Sequence, residues 1–360
     1  KSVDKPLLEI LHSGFIGQGK KVDEFEERLG EYFGNNKVLT LNSGTSGLHL
    51  ALRLANVSYG DEVISTAMTC TATNMPILAV GAKIVWADVN PITGLIDPKS
   101  IEEKITSKTK AIIMVHFGGI PCDIDAINII AKKHNLKTIE DGAHAIGSDY
   151  KGVKIGNHSD FVMFSLQAIK HVTTIDGGLL VCKDKSDYER GKLLRWYGID
   201  RAAKRKEFRC EEDVLEYGYK FHMNDISATI GIEQLKYLDE IVSKHIDNQE
   251  YYDIALKNIK GVTVIKKPDS SKSSCWLYTL HIDKRDLFSI WMGEQGIMTS
   301  RVHERNDKHT AFSDSVCELP GVTSFNATQV SIPVGWWISK EDRGYIVDNI
   351  RDFSNKFLKI

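Results

Sequence analysis

Short apolar runs alternate with segments of helical spacing along much of this chain. Ile84-Val85-Trp86-Ala87, Ala111-Ile112-Ile113-Met114-Val115, Thr138-Ile139, Phe161-Val162-Met163-Phe164 and Leu179-Leu180-Val181-Cys182 predict buried strands. Between the second and third, Ile124, Ile127, Ile130 and Ala131 fall on one face of a helix. This rhythm predicts an α/β fold, a mostly parallel sheet sandwiched by helices, with its sites at the carboxyl ends of the strands. Ile226, Ile230, Leu235, Leu238 and Val242 predict a long helix over about 225–245, all five inward. The chain is expected to change there from a large domain, 1–240, to a smaller α/β C-terminal domain, 241–360. The smaller domain has strands of its own near Val262-Thr263-Val264-Ile265 and Trp276-Leu277-Tyr278-Thr279-Leu280.

Composition narrows the class. With 360 residues, 42% hydrophobic and 26% charged, the chain can bury two cores, and a net charge of -2 gives no reason to expect nucleic acid or a membrane surface as partner. No apolar run reaches the eighteen or more residues of a transmembrane helix, and no signal peptide is visible. The six cysteines are scattered without a Cys-x-x-Cys, as suits reduced thiols in a cytoplasmic protein, and no metal is expected.

Lys170 brings in chemistry. It follows the strand-like Phe161–Phe164 run on a polar loop, with Gly177-Gly178 and a second apolar run after it. An amine held between two buried strands can form an imine with an aldehyde cofactor, provided its surroundings lower its pKa. That points to pyridoxal phosphate (PLP). Upstream, Lys137-Thr138-Ile139-Glu140-Asp141 reads as a short strand running into a carboxylate. PLP stores negative charge only while its ring nitrogen is protonated, and Asp141 is a candidate acid for that nitrogen. His144 is placed to meet the ring oxygen. Taken alone, Asp141 reads equally as a helix cap and His144 as a core residue. Leu41-Asn42-Ser43-Gly44-Thr45-Ser46-Gly47 precedes Leu48, Leu52 and Ala55 at helical spacing, so its amides and hydroxyls sit at a helix N-terminus, where a phosphate binds; an ordinary N-cap fits the same residues.

Taken together, Asn42-Ser43-Gly44-Thr45-Ser46, the stretch from Asp88 to Asp97, Glu140-Asp141-Gly142-Ala143-His144-Ala145-Ile146-Gly147, and Phe164-Ser165 through Lys170 resemble the DegT/DnrJ group of sugar aminotransferases. The similarity runs nearly end to end, from Gly17-Gln18-Gly19 to Ile332-Pro333-Val334-Gly335. It implies a fold type I aminotransferase with PLP as cofactor, a keto sugar, usually nucleotide-linked, as substrate, and L-glutamate as amino donor. It also implies a homodimer with active sites at the interface. Position by position, Lys170 becomes the Schiff-base lysine that also moves the proton, and Asp141 the partner of the ring nitrogen. Thr45, Ser46 and Ser165, with Gly44, become phosphate ligands, and His144 the neighbour of the ring oxygen.

The chain departs from the group's pattern in four places. Cys70 stands where an aromatic ring usually packs on the cofactor, a weaker contact. Ile175-Asp176-Gly177-Gly178 replaces Gly-Glu-Gly-Gly. Lys220 stands where an Asn usually reaches the neighbouring subunit's cofactor phosphate, which a lysine can contact as a charged pair, and His222 replaces an Arg. His171 directly follows the lysine; a dehydratase branch carries His at the lysine position itself, so Lys170 argues against that branch. Two segments are candidates for specificity. The basic stretch Arg201, Lys204, Arg205, Lys206 and Arg209 suits a diphosphate or a solvated loop, and the Arg301–His309 segment offers His303 and His309 as sugar contacts. A PLP-dependent dehydratase and a non-catalytic PLP-binding regulator stay open as alternatives.

Overall fold

The computed structural model describes residues 2–203, 213–268 and 270–358. Strands β1 (Val38–Leu41), β2 (Glu62–Thr66), β3 (Lys83–Ala87), β4 (Thr109–Val115) and β5 (Lys137–Asp141) come first. A short pair follows, β6 (Asp149–Tyr150) and β7 (Val153–Lys154), then β8 (Phe161–Ser165) and β9 (Gly178–Cys182). Seven of them form one sheet in the order β1-β9-β8-β5-β4-β2-β3. The β2/β3, β2/β4, β4/β5 and β5/β8 pairs are parallel, and β9 runs antiparallel to both its neighbours. Every residue of β1 and β9 is buried, so these strands are covered on both faces. Each strand expected from an apolar run is present, and the sheet is mostly parallel.

The Ile124–His134 helix buries Ile124, Ile127, Ile130 and Ala131, and Asp123 caps its start through the amide of Ala126 at 3.2 Å. The long helix expected over 225–245 is instead two helices, Asp225–Leu235 and Leu238–Ala255. Ala228, Gly231 and Ile232 form the buried face of the first, while Ile226, Ile230 and Leu235 are only part-buried. A Cβ on Gly231 would lie 2.4 Å from the Phe25 ring, so the first helix sits directly on the Lys20–Phe33 helix. The second helix has other neighbours: Leu238 and Val242 enter the core around the large sheet, and Tyr252 and Leu256 enter a second apolar cluster. The break lets the chain serve both.

The second cluster surrounds an antiparallel sheet, β10 (Val262–Val264), β12 (Tyr278–Ile282) and β13 (Gln329–Ile332), in the order β10-β12-β13; β11 (Ser271–Lys272) pairs with β6. The strand expected over 276–280 starts two residues later, because Cys275 takes a left-handed φ of +50° and kinks the chain before Trp276. Phe312, Val322 and Phe325 return to the core of the large sheet. Among the described residues no helix is long and apolar enough to cross a membrane.

Candidate active site

Asp141 is the last residue of β5 and Ser165 the last of β8, so both fall at carboxyl ends of parallel strands. A cavity of about 370 Å³ opens there. Lys170 enters it from the loop after β8, Thr45 from the start of the Gly44–Leu54 helix, Cys70 from the start of the Thr71–Ala79 helix, and Trp276 and His303 from the C-terminal third. A wider cleft of about 730 Å³ lies near Gln18 and Arg195. Its Arg190, Arg195 and Lys192 are already paired with Glu216, Glu26 and Glu189, and the Lys192 side chain is open to solvent rather than buried beside an acid, so the smaller cavity carries the chemistry.

The Lys170 loop is folded back on itself. Leu166 donates to the Gly177 carbonyl and Thr174 to the Leu166 carbonyl, both at 2.9 Å, and the Lys170 amide donates to Gln167 at 2.9 Å. Nζ lies 3.6 Å from the centroid of the Trp276 ring. Burial pulls the amine from 10.5 down to about 8, against Asp141 and Cys70, which favour the charged form. A lysine so placed is a nucleophile near neutral pH.

Asp141 is buried. One carboxylate oxygen accepts from Thr73 Oγ1 at 2.7 Å and the other from the Ala143 amide at 3.1 Å. Burial raises its pKa, and those two hydrogen bonds and Lys170 oppose the rise. The segment after it forms turns rather than a helix, so Asp141 is no helix cap. Thr73 bonds Thr69 at 2.8 Å, and the carbonyl of Thr69 accepts from Nδ2 of the fully buried Asn306 at 2.7 Å. Asn306 Oδ1 accepts from Asn74 at 2.8 Å, which ties the segment carrying His303 to the acid's own support.

His144 Nδ1 accepts from the Gly118 amide at 3.3 Å, which leaves the ring hydrogen on Nε2. The ring stacks on Trp276 at 3.9 Å and 20°. Burial and the nearby Lys170 hold its pKa well below 6.5, so it is neutral.

Ser43 caps the Gly44 helix by accepting from the Ser46 amide at 3.0 Å, and its hydroxyl donates to Ser46 Oγ at 2.9 Å. The amides of Gly44 and Thr45 have no intrahelical acceptor. A Cβ on Gly44 would lie 2.9 Å from Met163 Sδ and 3.3 Å from Ser165 Cβ, so glycine lets the helix start close against β8.

Gly44, Thr45, Cys70, Asp141, His144, Ser165, Lys170 and His303 therefore surround one cavity. Ser46, His309 and Lys220 are not among its lining residues. Ser46 is buried, His309 follows the 3-10 turn Asn306–Lys308, and Lys220 is exposed with its carbonyl accepting from Asn42 Nδ2 at 3.1 Å. Arg201 donates to the Gln18 carbonyl at 3.0 Å; Lys204, Arg205, Lys206 and Arg209 lie outside the described residues. Sequence reasoning did not find Thr73, Trp276 or Asn306. A Thr-x-x-x-Thr spacing at the start of a helix was the one visible signal, for Thr69 and Thr73.

The DegT/DnrJ/EryC1/StrS aminotransferase family model matches residues 1–351. The chain belongs to this family. It is a sugar aminotransferase, and the family's enzymes depend on PLP. A UDP-4-amino-4,6-dideoxy-N-acetyl-beta-L-altrosamine transaminase of Campylobacter jejuni is 33% identical over 98% of this chain and 95% of its own. The crystal structure of AtS13 from Actinomadura melliaura superposes with a TM-score of 0.94, at 40% identity over 98% of this chain and 95% of that one. A Streptococcus pneumoniae relative, 29% identical with a TM-score of 0.91 over 99% of this chain and 97% of its own, was solved in its PLP form. The donors present fit the cofactor: a buried carboxylate for a protonated ring nitrogen, an amine of lowered pKa for an aldehyde, and helix amides with the Thr45 and Ser165 hydroxyls for a phosphate ester.

Proposed function

We propose that this aminotransferase transfers an amino group from L-glutamate to a nucleotide-linked keto sugar, in amino-sugar or surface-polysaccharide biosynthesis in the cytoplasm. The observation that carries the reading is the buried amine of Lys170, lowered to about 8, in one cavity with the buried Asp141. The likeness to a transaminase of a UDP-linked sugar supports the nucleotide.

In this reading Lys170 is the residue that would hold PLP, and once displaced its amine would take the proton from the amino donor's α-carbon and, in the second half of the cycle, return one to the sugar carbon that accepts the amino group. PLP, when bound, supplies the electron sink for the charge left by that proton. Asp141 keeps the ring nitrogen protonated, and the 2.7 Å hydrogen bond from Thr73 orients its carboxylate. Gly44, Thr45, Ser46 and Ser165 hold the phosphate, with Lys220 reaching the partner subunit's site across a homodimer interface; its exposure on the protomer suits that role. Cys70 packs against the ring, His144 Nε2–H faces the ring oxygen, and His303 and His309 contact the sugar. His303 has the stronger claim, since its Nε2 is buried without a protein partner beside the cavity.

Incubating the holoenzyme with glutamate and a panel of nucleotide-linked keto sugars tests the reading. It expects 2-oxoglutarate and an aminated sugar in equal amounts by mass spectrometry. Bound PLP with no half-reaction from any amino donor would favour a regulator instead. A dehydratase has no support from the site: Lys170 lines the cavity, whereas His171 is buried outside it, edge-on to His245 at 4.5 Å.

A further inference from the structure

Trp276 is held from both sides. Cys275, just before it, is buried in a left-handed conformation, which persists in an L residue only where its surroundings over-determine it. Here its amide donates to Ser273 Oγ at 3.0 Å and its carbonyl accepts from His245 Nδ1 at 2.9 Å. After Trp276, the Leu277 amide donates to the Gly118 carbonyl at 3.2 Å. The adjoining Ser274 Oγ donates to the His144 carbonyl, also at 3.2 Å. The strained kink thus delivers a fixed indole to the cavity. Its Nε1–H donates to the carbonyl of Ile169 at 3.0 Å, the peptide that leads into Lys170, and Lys170 Nζ sits 3.6 Å from the ring centroid.

We propose that Trp276 is a positioning residue for Lys170: its indole N–H fixes the lysine's loop, and its π face is where the amine rests, as an ammonium, whenever it is not bound to the cofactor. The inference rests on Lys170 being the cofactor lysine. A long side chain released into an open cavity would sample many rotamers. Held on the ring, it stays within reach of the carbon it must serve. The ring quadrupole favours the ammonium, on the same side as Asp141 and Cys70, while burial opposes it. Lys170 also bears on His144, His303 and His171, and burial drives all three towards the neutral form.

The test uses the apo-protein, so no step of turnover enters the readout. An amine-selective acylating reagent is applied across a pH series, and the peptide carrying Lys170 is quantified by mass spectrometry. Trp276→Leu keeps bulk that excludes water but removes the π face, so the Lys170 midpoint should fall by roughly 0.5–1 pH unit. Trp276→Phe, with a weaker face, should fall by less. An unchanged or raised midpoint in the leucine variant, or an equal fall in both, overturns the proposal. If only the phenylalanine variant folds, a midpoint equal to wild type overturns it and a lowered one supports it. A wild-type midpoint near 10.5 instead of about 8 would overturn the reading of Lys170 as well, which separates the two failures.

Discussion

Gly178→Ala probes how the phosphate turn is built. Gly178 opens β9, opposite Leu41 at the end of β1 and Ser165 at the end of β8. A Cβ there would lie 2.5 Å from both the Gly44 nitrogen and the Ser43 carbonyl carbon, well inside the 3.0 Å limit that real Cβ contacts respect. Both obstacles are backbone, so no rotamer change relieves the clash. The turn that starts the Gly44 helix must retreat by about 0.5 Å, at the roughly 1–3 kcal/mol typical of overpacking. If the displaced amides and hydroxyls carry the phosphate, that energy appears in cofactor affinity at tenfold per ~1.4 kcal/mol, so PLP should bind about 5- to 140-fold more weakly. Titrating the apo-protein with PLP and following the bound-cofactor absorbance measures this, beside a thermal melt. Gly17→Ala is the control, since a Cβ on Gly17 meets nothing within 4 Å. Wild-type PLP affinity in Gly178→Ala would refute the placement of the phosphate at this turn.

Ile175 holds a φ of +73° while the residue is 63% exposed. Ile175→Gly should remove about 1–2 kcal/mol of backbone strain and lose about 0.4–1 kcal/mol through the freer unfolded chain, a small net gain in denaturant stability; a loss would contradict the strain argument. Asp141→Asn should still take up PLP yet turn over at least about 100-fold more slowly, because the charge that keeps the ring nitrogen protonated is gone; near-normal turnover would remove Asp141 from its role. Burial lowers the Lys170 pKa, so its free-amine fraction is small below about pH 8 and complete well above it. The rate of PLP capture by apo-protein should therefore climb through about pH 8 and level off, whereas a climb continuing to 10.5, the ordinary lysine value, would contradict the burial.

The sheet was legible in the sequence because buried parallel strands read as unbroken apolar runs, as at Ala111–Val115 and Phe161–Phe164. Lys170, Asp141 and the Ser43–Ser46 turn were legible because each lies at or just after the end of a strand, a local property. The break at Lys236-Tyr237 was hidden: no Gly or Pro marks it, and apolar spacing carries on across it. It reflects two different packing partners, which periodicity within one segment cannot report. Trp276 was hidden too, because its link to Ile169 spans 107 residues and a tryptophan in an apolar run looks like any strand residue. Asn306 shares that difficulty, since its bond to the Thr69 carbonyl spans 237. Between the two candidate histidines, the 3-10 turn Asn306–Lys308 separates His303 from His309, so their shared composition did not place both beside the cavity.

Borohydride reduction of the PLP-loaded protein, followed by peptide mapping, tests the central claim most directly, because it makes the lysine–cofactor link permanent. The account predicts the phosphopyridoxyl mass on the peptide containing Lys170 and its absence from Lys170→Ala. The same mass on another lysine, or retained in Lys170→Ala, would contradict it.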